Sequence, residues 1–137
     1  MLELQQQTCR LIRRGETYSG KQGLSYFEGI SAQTAGSQAI CMHVLEMPPG
    51  TVAKAHRHDD HETAIYMISG TVRTWYGDRL ENCIEVSGGE MFYIPAGVPH
   101  VPANISLTTA VALIARTDPN EQESVTLLPE LDRLVQS

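Results

Sequence analysis

The side chains with the most chemistry in this 137-residue chain crowd into one stretch, HRHDDHET, running from His56 to Thr63. It holds three of the five histidines and three carboxylates, Asp59, Asp60 and Glu62. Imidazole in its neutral form is the commonest transition-metal ligand, and near neutral pH it also moves protons. His56 and His58 are spaced i, i+2. On a β-strand that spacing puts both rings on one face with Cα atoms about 7 Å apart, close enough to share one ion. On a helix it would point them apart. Asp59 and Asp60 read as turn formers. The bland alternative for the whole stretch is a surface strand with solvated histidines.

A second stretch changes the balance. GEMFYIPAGVPHVPAN, residues 89 to 104, reads as a strand, a rigid Pro-Ala-Gly turn and then His100. A closed barrel can bring His100 against the HxH pair. Three converging imidazoles supply half of an octahedral shell and leave positions open for substrate or oxygen.

Positioning those rings requires strands, and from Gly36 onward the chain offers them. QAICMHVLEM, TVAKAHRH, ETAIYMIS, TVRTWY, NCIEV, EMFYI and ISLTTAVALIAR are β-rich runs cut by Gly, Pro and Asp at spacings of about ten residues, the pattern of an all-β sandwich or barrel. YFEGI is the best strand candidate before Gly36, among loops and edge strands. The tail LLPELDRLVQS reads as a short helix, with Pro129 in the first turn and an apolar stripe of Leu128, Leu131, Leu134 and Val135. The expected divisions are 1–35, N-terminal strands and loops making a dimer contact; 36–116, the barrel; and 117–137, the tail with its helix.

The two histidine-bearing stretches resemble the signature motifs of the cupin superfamily, G(X)5HXH(X)3-4E(X)6G and G(X)5PXG(X)2H(X)3N. Gly50, His56 and His58 fit the start of the first; Gly89, Pro95, Gly97, His100 and Asn104 fit every fixed position of the second. The run RTDPNEQESVTLLPELD is similar to the tails of small single-domain cupins. The resemblance implies a double-stranded β-helix, or jelly roll, with a metal inside one end. The first motif is then departed from. Seven residues before Gly70 stands Thr63, where cupins most often place a glutamate. Counting forward from His58, Glu62 satisfies the spacing. Regular strand alternation instead puts His61 on the metal side with Thr63, Ile65 and Met67, and Glu62 on the other, unless a bulge intervenes. The expected ligands are His56, His58, His100 and Glu62, with His61 or a bare three-histidine set as alternatives. Glu62 otherwise serves as a surface charge or orients a ligand ring.

Histidines with one carboxylate suit Mn(II), Fe(II), Ni(II) or Zn(II); histidines alone suit Fe(II), Zn(II), Ni(II) or Cu(II). The expected cofactor is one such divalent ion. The resemblance points to a small-molecule metalloenzyme, a dioxygenase or a carbonyl-directed isomerase or cyclase. The alternatives are a non-catalytic module that binds a small ligand or metal, and a barrel whose metal only stabilises the fold. Other polar and aromatic groups carry weaker signals. His43 shares a face with Cys41 and Leu45 and reads as a strand histidine. Tyr66, Trp75, Tyr76, Phe92 and Tyr93 read as core or dimer packing. Arg73 reads as an outward, solvated cation, or as an anion binder if its face turns inward.

Composition bounds the partners. A formal net charge of −6 argues against nucleic acid or an anionic membrane surface. No stretch approaches signal-peptide or membrane-span length, so the expected location is cytoplasmic. Cys9, Cys41 and Cys83 are odd in number and far apart, which reads as reduced thiols. A homodimer is the expected assembly.

Overall fold

The computed structural model describes residues 8–13, 17–19, 24–120 and 125–135. Two antiparallel sheets face each other. One has the order β1 (Thr17–Ser19), β2 (Ser25–Ile30), β3 (Cys41–Met47), β10 (Ala110–Arg116), β5 (Thr63–Ser69), β8 (Met91–Ile94). The other runs β11 (Val125–Leu127), β4 (His56–His58), β9 (His100–Ala103), β6 (Thr71–Tyr76), β7 (Asn82–Ser87). From β3 to β6, and again from β7 to β11, consecutive strands alternate between the sheets, the pattern of a jelly roll, and a short C-terminal helix follows. Among the described residues no helix is long and apolar enough to cross a membrane.

The strands form where β-branched and aromatic residues alternate with residues that face outward. β3 buries Cys41, His43, Leu45 and Met47, and β10 buries Ala110, Ala112, Ile114 and Arg116. The two pair along their whole length, from Ala110 opposite Met47 to Arg116 opposite Cys41. From these two strands Leu45, Met47, Ala110, Ala112 and Ile114 join Tyr26, Met67, Val72 and Val86 in the main core. The chain crosses from β5 to β6, and so between sheets, at Gly70. Its φ is +83°, and a Cβ there would lie 2.7 Å from the Ala110 Cα, so only glycine fits.

Backbone bonds tie the HxH strand to the second histidine stretch. Gly50 N–H donates to the Asn104 carbonyl and Asn104 N–H to the Thr51 carbonyl, both at 2.8 Å. The Asn104 side chain is fully buried. It donates to the carbonyls of Met47 and Thr108 and accepts from the backbone N–H and hydroxyl of Ser106. Gly97, with φ +82°, donates its N–H to the His58 carbonyl at 2.7 Å.

Three elements differ from the sequence expectation. The TVAKAHRH run is a strand only over His56–His58, with an isolated bridge from Val52 to Ala103. ISLTTAVALIAR becomes a strand only at Ala110, because Asn104 and Ser106 hold the preceding residues in a loop. β11 was not foreseen: three residues with little alternation carry no strand signal of their own, and pairing with β4 creates the strand. Just after Ile30, a four-residue helix, α1 (Ala32–Ala35), is capped by Ser31 and Thr34. The expected C-terminal helix is present as α2 (Pro129–Asp132), continued by a 3-10 turn over Arg133–Val135. Leu128, Leu131 and Val135 pack with Ala55, Leu80, Val101 and Trp75 in a second cluster, while Leu134 stays exposed. Of the segment 1–35 expected at a dimer contact, residues 1–7, 14–16 and 20–23 lie outside the described residues.

Candidate metal centre

β4 and β9 are adjacent antiparallel strands, and their register sets His56 directly opposite His100. Strand alternation puts His58 on the same face as His56, with outward Arg57 between them bonded to Asp59. The three rings meet with centroids 4.2 Å (His56–His100), 5.2 Å (His56–His58) and 5.3 Å (His58–His100) apart. One ring nitrogen from each falls within 4.8 Å of the other two. All three side chains are buried.

Two of the rings are held in one tautomer. His56 Nδ1 lies 2.7 Å from the Lys54 carbonyl and His100 Nδ1 2.9 Å from the Val98 carbonyl. A carbonyl can only accept, so each Nδ1 carries the proton and each Nε2 keeps its lone pair. Backbone acceptors on metal-binding imidazoles play this orienting role. His58 Nδ1 is buried with no hydrogen-bond partner. Burial is also the largest cause of the lowered basicity of all three rings, helped by neighbouring positive charge; His100 falls to about 4. They are therefore neutral at physiological pH, the form that binds a metal. A buried, neutral, pre-oriented nitrogen set fits a divalent transition ion.

The geometry is that of a histidine site inside one end of a jelly roll. The cupin-domain pattern matches residues 43–115, just over half of the chain. The chain belongs to the cupin family.

Among solved structures, this cupin is similar to the polyketide cyclase RemF from Streptomyces resistomycificus, with 21% identity, a TM-score of 0.71, and 88% of this chain and 86% of that one covered. It is similar to the oxalate decarboxylase of Lactobacillus farciminis at 18% identity and a TM-score of 0.68, covering 82% of this chain and 33% of that one. A sugar phosphate isomerase described as putative, from Acidithiobacillus ferrooxidans, matches at 19% identity and a TM-score of 0.60, covering 76% of this chain and 67% of that one. The chain thus spans about a third of the length of the oxalate decarboxylase. At these identities the likeness is one of fold. A comparison with curated protein sequences finds no match.

The structure treats the two fourth-ligand candidates differently. Burial alternates through the residues entering β5 and along its first half: His61, just before the strand, Thr63 and Met67 are buried, while Glu62, also before it, Ala64 and Tyr66 are exposed. The irregularity in the β10–β5 pairing falls at Val111/Ala112, far from this entrance. Glu62 therefore points outward, where its carboxylate accepts a 2.7 Å hydrogen bond from the Tyr93 hydroxyl. Of the two candidates, His61 is the one whose side chain is buried on the side of the three histidines. The His61 ring lies 4.7 Å from that of His58, and its Nδ1 is 3.5 Å from an Asp118 carboxylate oxygen. His61 lies outside the tight three-nitrogen set.

Arg73 is outward, bonded to Glu85 at 2.6 Å and lying over Trp75. The inward cation is Arg116, which the sequence reading passed over. Alternation in AVALIAR was the available signal, since it puts Arg116 on the buried face with Ala112 and Ile114. Arg116 and Thr63 sit opposite each other across β10 and β5 and line the same cavity as His56, His58 and His100. His43 is buried beside Tyr26, ring edge to face at 6.4 Å. Cys9, Cys41 and Cys83 form no disulfide.

The buried imidazoles make stability depend on pH. His43 and His100 are lowered from 6.5 to about 4, so the unfolded chain binds more protons than the folded one between these values. Stability of the metal-free protein is therefore flat in this respect above about pH 6.5 and falls as pH drops toward 4. An NMR titration of the metal-free protein is expected to give both rings midpoints near 4, with urea resistance lower at about pH 5 than at pH 7. Midpoints at the ordinary 6.5 would contradict the burial.

Proposed function

We propose that this cupin is a metal-dependent enzyme acting on a small carbonyl compound, with His56, His58 and His100 as the metal ligands. The observation that supports this best is the set of three buried, neutral imidazoles, two with Nδ1–H fixed on backbone carbonyls, facing a cavity lined mainly by apolar side chains. His61 is the proposed fourth ligand, with Asp118 orienting its ring. A divalent iron, manganese, nickel, zinc or copper ion held there supplies Lewis acidity toward a carbonyl oxygen and, as Fe(II), reactivity toward dioxygen. The residues around it do the rest. Met47, Met67, Ile114 and their neighbours exclude water, and the carbonyls of Lys54 and Val98 keep the imidazole protons on Nδ1. The fitting reaction classes are a dioxygenase and a carbonyl-directed isomerase or cyclase.

We further propose a homodimer built on the outer face of the six-stranded sheet. Met42, Tyr66, Ile68, Met91 and Tyr93 are exposed there next to Leu113 and Ala115, and Met91 is 80% exposed. A continuous apolar face of this kind marks an interaction surface. Light scattering is expected to give twice the chain mass, and Tyr66→Glu combined with Met91→Lys to give the monomer. A monomeric wild type at micromolar concentration would remove the dimer.

Elemental mass spectrometry of tag-free protein tests the metal site. Near-stoichiometric metal is expected in wild type and in Glu62→Ala, reduced metal in His61→Ala, and none in His100→Ala of unchanged circular dichroism. Iron directs the activity screen to oxygen uptake; zinc or manganese directs it to isomerisation and cyclisation. A wild-type protein that takes up no metal, even after addition, would withdraw the reading.

A further inference from the structure

Arg116 is 5% exposed, yet no carboxylate or hydrogen-bond acceptor is found for it among the described residues, and its Nε is buried without a partner. Its guanidinium carbon lies 5.6 Å from the centre of the Tyr26 ring, which holds the group in place without neutralising it. Directly across the strand pair stands Thr63, 2% exposed, whose hydroxyl is also buried without a partner. Both line the cavity that the three imidazoles face, and among the described residues no Asp or Glu lines it.

Buried polar groups are ordinarily satisfied, and a buried charge without a partner is costly. Two such groups on facing strands, aimed into one cavity beside a metal-binding set, make a seat waiting for an anion. Charge leads to the same conclusion. Neutral imidazoles leave a divalent ion uncompensated, and Arg116 adds a further positive charge to a weakly solvated space. The Asp118 carboxylate is beside His61 rather than in the cavity wall. The planar guanidinium fork matches the two oxygens of a carboxylate, and a threonine hydroxyl can donate a further bond. The cavity measures about 50 Å³, space on the order of a few waters, so the occupant is small.

We propose that Arg116 and Thr63 form a carboxylate seat beside the three histidines, and that the substrate is a small keto acid held by its carboxylate at Arg116 with its carbonyl toward the metal. The carboxylate assignment stands on Arg116 and Thr63 alone; the carbonyl orientation rests on the proposed metal site.

Titration with pyruvate, pyruvamide and inorganic phosphate, followed by NMR on both zinc-loaded and metal-free protein, tests it. Wild type is expected to bind pyruvate saturably in both forms. Arg116→Gln should bind it at least about tenfold more weakly, the loss expected of a charged hydrogen bond. Arg116→Lys should recover part of the affinity, Thr63→Val should lose a few-fold, and Arg73→Gln should behave as wild type. Zinc content should be unchanged by Arg116→Gln, and pyruvamide should bind wild type, Arg116→Gln and Arg116→Lys alike. Equal pyruvate affinity in wild type and Arg116→Gln, pyruvamide binding as tight as pyruvate, phosphate binding tighter than pyruvate, or no saturable pyruvate binding to wild type would each overturn the seat. If Arg116→Gln does not fold, Arg116→Lys and Thr63→Val carry the comparison. Failure to take up zinc would count against the metal reading alone, since the metal-free titration still decides the role of Arg116.

Discussion

An imidazole withdrawn from water is tolerated only as the neutral ring, and this chain withdraws five of them into one small barrel. His43, His56, His58, His61 and His100 are all 1–2% or, for His100, 3% exposed. Desolvation leads the causes that lower the basicity of each, and the positive charge of Arg116 adds to it in every case. The result is a concentration of neutral rings, of which His56, His58 and His100 line the cavity; His56 and His100 hold their protons on Nδ1, toward the backbone, and keep Nε2 as a lone pair. Such a cluster has little value as packing, since Leu or Val would fill the same volume with no polar atoms to satisfy. Its fit is to a ligand that wants lone pairs, as a divalent transition ion does.

The scaffold holds this cluster from both sides of the short HRH strand. β9 fixes His100 against His56, and β11 covers the other edge, pairing Val125 with His58 and Leu127 with His56. The C-terminal segment then returns to the same place. Leu128 N–H donates to the Ala55 carbonyl, and the Ala55 N–H donates to the Asp132 carboxylate. A three-residue strand would be marginal by itself. Here its edges are closed on both sides, which keeps the rings in register. Arg116 completes the wall from the opposite sheet, so the two sheets contribute different chemistry: nitrogen donors from one, a fixed cation and a hydroxyl from the other.

Much of this was legible in the sequence, for reasons visible in the bonding. Gly50 and Asn104, fixed positions of separate motifs, are partners in a backbone pair. Gly97 and His58 are another such couple. The i, i+2 histidines needed only a strand to converge, and the strand is there. For Glu62, motif spacing and strand alternation gave opposite answers, and the burial of His61 and exposure of Glu62 follow alternation. Arg116 was missed because a terminal arginine reads as a solvated strand end; alternation in AVALIAR puts it on the inner face, and its register opposite Thr63 and Cys41 agrees. β11 was invisible because its strand character comes from its neighbour, and a three-residue run has too little periodicity to announce itself.

Crystallography of metal-loaded protein, with anomalous data collected at the metal edge, addresses the central claim most directly. The account predicts one strong peak between His56, His58 and His100, with metal–nitrogen distances of about 2.0–2.2 Å and the Glu62 carboxylate outside the shell, still on Tyr93. A peak elsewhere in the molecule, or a shell completed by Glu62 with the entrance to β5 rearranged, would contradict it.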